Sequence, residues 1–258
     1  MKFSYLMLGT ALAITVFTGC KKDEEITDTP TTPTETTGEM EIEFEHTFDG
    51  AAFSMGTTYT NANGEDVNYS TVKYYVSNIK LTKTDGTEWV QPESYYLVDL
   101  STPSTAMLHL HDVPTGDYTD ITFTIGVDST RCVSGAQEGA LAISNNMFWS
   151  WNSGYIFVKM EGTSSASNSG QFAYHIGGFS YTNNSINEGS FDFAPSMLMI
   201  RQDAAPVVHM SIDLNKVYDG PAGVVSVATS SNVTMTNANA VKISDNFFSG
   251  ISFEHIHN

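Results

Sequence analysis

The sequence predicts an all-β fold, a mainly antiparallel β-sandwich or open barrel in a single domain. Apolar residues recur with period two through most of the chain after Glu39, turn signals separate the runs, and hydrophobic runs with helical spacing are scarce. In Met40 to Phe48 one face reads Met40, Ile42, Phe44, His46 and Phe48, while Glu41, Glu43, Glu45 and Thr47 point the other way. Around 121–127 the inward set is Ile121, Phe123, Ile125 and Val127. Val208, Met210, Ile212 and Leu214 alternate with His209, Ser211 and Asp213. Further strands are predicted at 72–81, 95–100, 107–113, 155–160, 172–176, 224–228 and 251–257. Asp85-Gly86, Pro114-Thr115-Gly116 and Asp219-Gly220-Pro221 supply turns between them. Residues 39–258 fit one sandwich or barrel domain, and no internal repeat is evident.

The N-terminus has a different character. Lys2 gives a basic start, Leu6 to Phe17 is mostly apolar, and Thr18-Gly19-Cys20 ends the run on small residues and a cysteine. So short a stretch with a cleavage-like end reads as a signal peptide over 1–19 rather than a spanning helix. Cys20 stands where a lipobox cysteine would, so the sequence predicts lipidation there and a place at the cell envelope. Lys21-Lys22-Asp23-Glu24-Glu25 follows at once and resembles the charged export signal behind the lipidated cysteine of Bacteroidetes lipoproteins. Ile26 to Gly38, rich in Thr, Pro and Glu, cannot bury enough surface to offset its ordering entropy. Residues 20–38 are therefore expected to form a solvated tether.

Net charge is −18, from 29 acidic and 11 basic residues, and nine of the acidic ones lie between Asp23 and Glu45. Nucleic acid is excluded as a partner, because neutralising phosphates needs clustered Lys and Arg. No nucleophile elbow, phosphate loop or paired-cysteine zinc site is present, and the protein is not expected to be an enzyme. Asn61 to Asp66 reads as a hairpin turn rather than a calcium loop, since it lacks the acidic spacing. Lipidation would consume Cys20 and leave Cys132 as a buried small hydrophobe, a soft metal ligand or a reactive thiol.

Histidines stand where a strand protein would place apolar side chains. His46 lies in an apolar stripe, and His255 and His257 share the parity of Ile251 and Phe253. His109 and His111 alternate with the more core-like Leu108 and Leu110, while His209 has the parity of Ser211 and Asp213 and is expected in solvent. A His-x-His pair on a strand points both rings one way, about 6–7 Å apart along the backbone, and imidazole suits copper or zinc. The run Met147-Phe148-Trp149-Ser150-Trp151-Asn152-Ser153-Gly154-Tyr155 concentrates aromatic residues, as core packing or as a stacking platform.

Phe148-Trp149-Ser150-Trp151-Asn152-Ser153-Gly154-Tyr155-Ile156-Phe157 and Phe172-Ala173-Tyr174-His175-Ile176-Gly177-Gly178 resemble the MbnP family of methanobactin-associated, copper-binding envelope proteins. Phe44-Glu45-His46, Tyr74-Tyr75-Val76-Ser77-Asn78-Ile79, Gly126-Val127-Asp128 and Phe253-Glu254-His255-Ile256-His257 extend the resemblance over nearly the whole domain. The resemblance implies copper held by histidine and by a kynurenine made from tryptophan by a MauG-type di-haem partner. Carried over by position, His46 and His175 are the first candidate ligands, then His255 and His257. Trp149 and Trp151 are the candidate tryptophans. These residues are expected to converge on one site for copper storage or handover. The alternatives are a surface-anchored glycan- or peptide-binding module and a structural lipoprotein.

Overall fold

The computed structural model describes residues 36–258 apart from Ala136 and Trp151. The predicted signal peptide, Cys20, nearly all of the tether and Trp151 lie outside the described residues. In chain order the principal strands are β1 (Thr37–Phe48), β2 (Asp66–Lys83), β3 (Met107–Pro114), β4 (Gly116–Ile125), β5 (Val158–Thr163), β6 (Gln171–Ile176), β7 (Asn187–Asp192), β8 (Val207–Asp213) and β9 (Ile251–His257). Among the described residues the α-helices are α1 (Ser129–Val133) and α2 (Ala238–Ser249).

The strands form two sheets. The first runs β3-β1-β8-β9, with β1 and β8 parallel and the other neighbours antiparallel. The second has the main order β7-β4-β2-β5-β6, all antiparallel, with shorter strands added at its margins. Strand alternation explains how they meet. Met40, Ile42 and Phe44 of β1 and Val208, Met210 and Ile212 of β8 are buried in one cluster with Tyr74, Val76, Phe123, Ile125, Phe172 and Tyr174 of the second sheet. Phe44 of the first sheet meets the second directly, edge-on to Phe123 at 5.7 Å and to Tyr74 at 6.1 Å. Each such ring removed from water stabilises the sandwich by about 1.5–3 kcal/mol. The fold is therefore the predicted all-β, mainly antiparallel sandwich.

A second, smaller cluster covers part of the far side of the second sheet. Tyr75, whose neighbour Tyr74 points into the main core, packs there with Val127, Cys132, Leu141, Met147, Tyr155, Ile156 and Phe157. Phe148 and Trp149 close over it.

Two segments depart from the periodicity. The strand expected at 224–228 is only Gly223–Val224; Val225 N donates to the Tyr218 carbonyl at 2.9 Å, and the Glu65 carboxylate then takes Val227 N at 2.8 Å and Ala228 N at 3.0 Å. Glu65 itself leaves a hairpin turn organised by Asn61, whose Oδ1 accepts from Asn63 N and Glu65 N, as expected of a turn rather than a calcium loop. Helix α2 is the other departure. Asn237 caps its start by accepting from Asn239 N and Ala240 N. Its buried side includes Ala240, Ser244 and Asn246, which do not register as an apolar stripe. Asn246 is satisfied by the carbonyls of Val217 and Gly223, so its burial carries little penalty.

Candidate metal centre

The outward side of β1 is a row of carboxylates, Glu39, Glu41, Glu43 and Glu45, because every second residue faces the core. The neighbouring strands answer it with imidazoles. Register places His109 of β3 opposite Glu41, with Nδ1 2.8 Å from Glu41 Oε1, and His111 lies 3.1 Å from Glu39. On the other flank, β8 sets His209 opposite Glu43.

Strand β9 then brings His255 and His257 to the same face. Pairing between β8 and β9 aligns Ile212 with Ile251 and Met210 with Phe253, but His209 with His255. One residue, Glu254, is extra. Such a bulge reverses the alternation beyond it. Phe253 and Ile256 pack on the core, while His255 and His257 emerge outside. Simple parity had assigned these two imidazoles to the side of Ile251 and Phe253, and the bulge is why they are not there.

The three rings form a compact group. His209 and His255 stack with centroids 4.2 Å apart and planes 7° from parallel. His257 stands 4.8 Å from His209 and 4.7 Å from His255. One ring nitrogen from each can be chosen so that all three lie within 4.8 Å of one another, and His209 forms a second such set with Glu43 and Glu45. His209, expected in solvent, is 8% exposed beneath its neighbours. Its Nδ1 lies 3.2 Å from Glu43 Oε2 and 3.6 Å from Glu45 Oε1. Both are within ion-pair distance, but the first is not aligned as a hydrogen bond and the second is too long for one, so both ring nitrogens are buried without a hydrogen-bond partner. Leaving a buried polar atom unpaired costs about 1–3 kcal/mol, a cost that a bound cation would remove.

The other sequence candidates lie on different faces. His46 points between the sheets, its Nε2 2.9 Å from Tyr74 Oη, and borders an open cavity of about 460 Å³ with Phe53, Met55 and Leu100. Burial pushes its pKa down from 6.5 to about 4, so the ring is neutral at ordinary pH. His175 is on the outer side of the second sheet, since Phe172, Tyr174 and Ile176 take the core. Its Nε2 meets Glu161 Oε1 at 2.7 Å, and Lys159 approaches the same oxygen at 3.5 Å. Burial would raise the Glu161 carboxyl, but His175 and Lys159, together with a hydrogen bond from Thr71, outweigh it and hold the group below its usual value.

Trp149 shares that side of the molecule. Its ring lies so close to Gly177, two residues after His175, that a Cβ there would come within 2.9 Å of Cζ3. The structure thus sets Trp149 near the His175 strand and joins His255 to His257, while His46 stands apart from both groups. Cys132 is buried at 1% exposure, its Sγ 3.5 Å from the Val127 carbonyl, and desolvation pushes its thiol up to about 11. Of the three readings open to it, the buried small hydrophobe is the one its surroundings match.

Sequence reasoning could have found His209 by pairing β1 with β8, because Glu43 and Glu45 then flank it. The bulge had no comparable signal.

Among the described residues, no helix is long and apolar enough to cross a membrane. A comparison with curated protein sequences gives no match. Among solved structures, MbnP from Methylosinus trichosporium has a similar fold, with a TM-score of 0.50 and 14% identity over 77% of this chain and 80% of that one. The family model described as MbnP matches residues 37–242, most of the sandwich, and the chain belongs to the MbnP family.

Proposed function

We propose that this protein binds copper at the cell envelope and stores it or hands it on without catalysing a reaction. The observation that carries the reading is His209, a buried imidazole with both nitrogens unpartnered, held within donor distance of His255 and His257. Neutral imidazoles are good copper ligands, and membership of the MbnP family supports that metal over others. Two of the three rings are exposed, which gives an incoming ion or an accepting partner direct access. Cys20, as the lipidated residue, would keep the domain at the membrane. A MauG-type di-haem partner would convert a tryptophan to kynurenine. At Trp149 that product would add a nitrogen donor on the His175 side, away from the histidine triad, since an unmodified indole N–H can only donate.

The test is a copper titration of the full chain beside a His255→Ala/His257→Ala variant. The expected result is one tightly held ion in the first protein and binding weakened on the order of 100-fold in the second, the combined effect of two lost ligands. Equal copper affinity in the two proteins would remove the triad from the function.

A further inference from the structure

Four groups at the His209 site differ in what they impose on a metal. The three imidazoles accept either oxidation state of copper. The carboxylate of Glu43 does not, because a hard, anionic oxygen favours the more highly charged ion, and the His, Asp, Glu and Cys donors gathered here include no thiolate to draw copper(I).

The spacing of Glu43 is informative. Oxygen and nitrogen donors bound to one ion at about 2.0–2.2 Å, at roughly right or tetrahedral angles, stand about 3 Å apart. Glu43 Oε2 and His209 Nδ1 are 3.2 Å apart and are not aligned as a hydrogen bond. A paired carboxylate and imidazole would ordinarily align, as Glu161 and His175 do at 2.7 Å. The His209 pair has the separation of two neighbouring ligands instead.

The stacked rings place a second condition on the site. A metal bonded to an imidazole lies in that ring's plane. Two rings 4.2 Å apart and 7° from parallel cannot both hold one ion in plane. His209 is packed in place, whereas His255 is exposed on the edge strand of the sheet and has room to turn.

Resting on the copper reading above, we propose that this site is selective for copper(II), with His209, His255, His257 and the Glu43 carboxylate as its donors, and that His255 rotates off its stack on His209 to admit the ion. Glu43 is then the residue that discriminates between oxidation states. Strand β9 supplies two of the donors, His255 and His257, and β1 and β8 supply Glu43 and His209.

The experiment is a pair of affinity titrations on the metal-free full chain. Copper(II) is added in air, and copper(I) under reductant against a copper(I) chelator, for the unaltered protein, Glu43→Gln and, as the control on the same strand, Glu39→Gln, whose carboxylate pairs with His111. Glu43→Gln is expected to weaken copper(II) binding about 10–100-fold and to leave copper(I) binding within about threefold. Glu39→Gln should leave both within about threefold. Electron paramagnetic resonance of the copper(II) form should show coupling to three nitrogens, reduced to two in His255→Ala. Copper(I) bound as tightly as copper(II), an equal effect of Glu43→Gln on both ions, or the effect appearing in Glu39→Gln would each overturn the proposal and leave copper binding intact. Failure to bind copper in either state would overturn the broader reading as well.

Discussion

The outer sides of the two sheets hold similar chemical types and use them differently. On the second sheet, Tyr75, Tyr155, Cys132 and Trp149 sit in a covered aromatic cluster, and its tyrosine hydroxyls are spent. Tyr75 Oη donates to the Ala140 carbonyl and Tyr155 Oη to that of Leu141. On the first sheet, among the described residues, no comparable cluster covers the imidazoles and carboxylates, and the most buried of them, His209, has no side-chain hydrogen bond. A concentration of histidine or tryptophan does not by itself mark a site. Donor capacity left over after packing does.

That contrast can be broken most forcefully from the covered side. Phe157 is fully buried there, with Gly126 so close beneath its ring that an added Cβ would come within 3.2 Å. Phe157→Ala should cost about 3–5 kcal/mol in urea unfolding. Copper affinity of the folded variant should stay within about threefold of the original. A large loss of affinity would mean that the two faces are coupled.

The interior gives the next effect. Burial holds His46 at about 4 in the folded protein against 6.5 otherwise, so between those values the unfolded chain binds a proton that the folded one refuses. This contribution is fully present above pH 6.5 and is lost as pH falls towards 4, by about 3 kcal/mol over the window. Subtracting the pH dependence of His46→Gln from that of the unaltered protein isolates it. Parallel curves would show that His46 is not held neutral by burial.

The smallest effect sharpens the comparison. His255 is exposed and lacks a core role, so His255→Ala in the metal-free protein should change unfolding free energy by less than about 0.5 kcal/mol. A loss above 1 kcal/mol would make the stacked rings a structural element rather than a reserved one.

Much of this was legible in the sequence. Alternation in Met40 to Phe48 located β1, set His46 inward and lined up Glu41, Glu43 and Glu45 on the other side. Cross-strand register was not legible, since the parallel partnership of β1 with β8 joins segments with most of the domain between them. For that reason His209 looked like a solvent residue. The bulge at Glu254 was hidden for a related cause, because an extra residue is defined only against a partner strand. Helix α2 escaped because its buried side mixes Ile243 and Phe247 with Ala240, Ser244 and Asn246, a pattern that only its surroundings make favourable.

The parallel alignment of β1 with β8 also bears on when the protein can hold metal. Glu43 comes from the first strand of the domain, His209 from the eighth principal strand and His255 and His257 from the last, so the donors are assembled only by contacts of high sequence separation. Such contacts form late, after the loops between them have closed. A chain stalled partway to its native state has the four side chains but not their arrangement. Copper captured here would therefore be captured by finished molecules, and occupancy would double as a readout of completed folding.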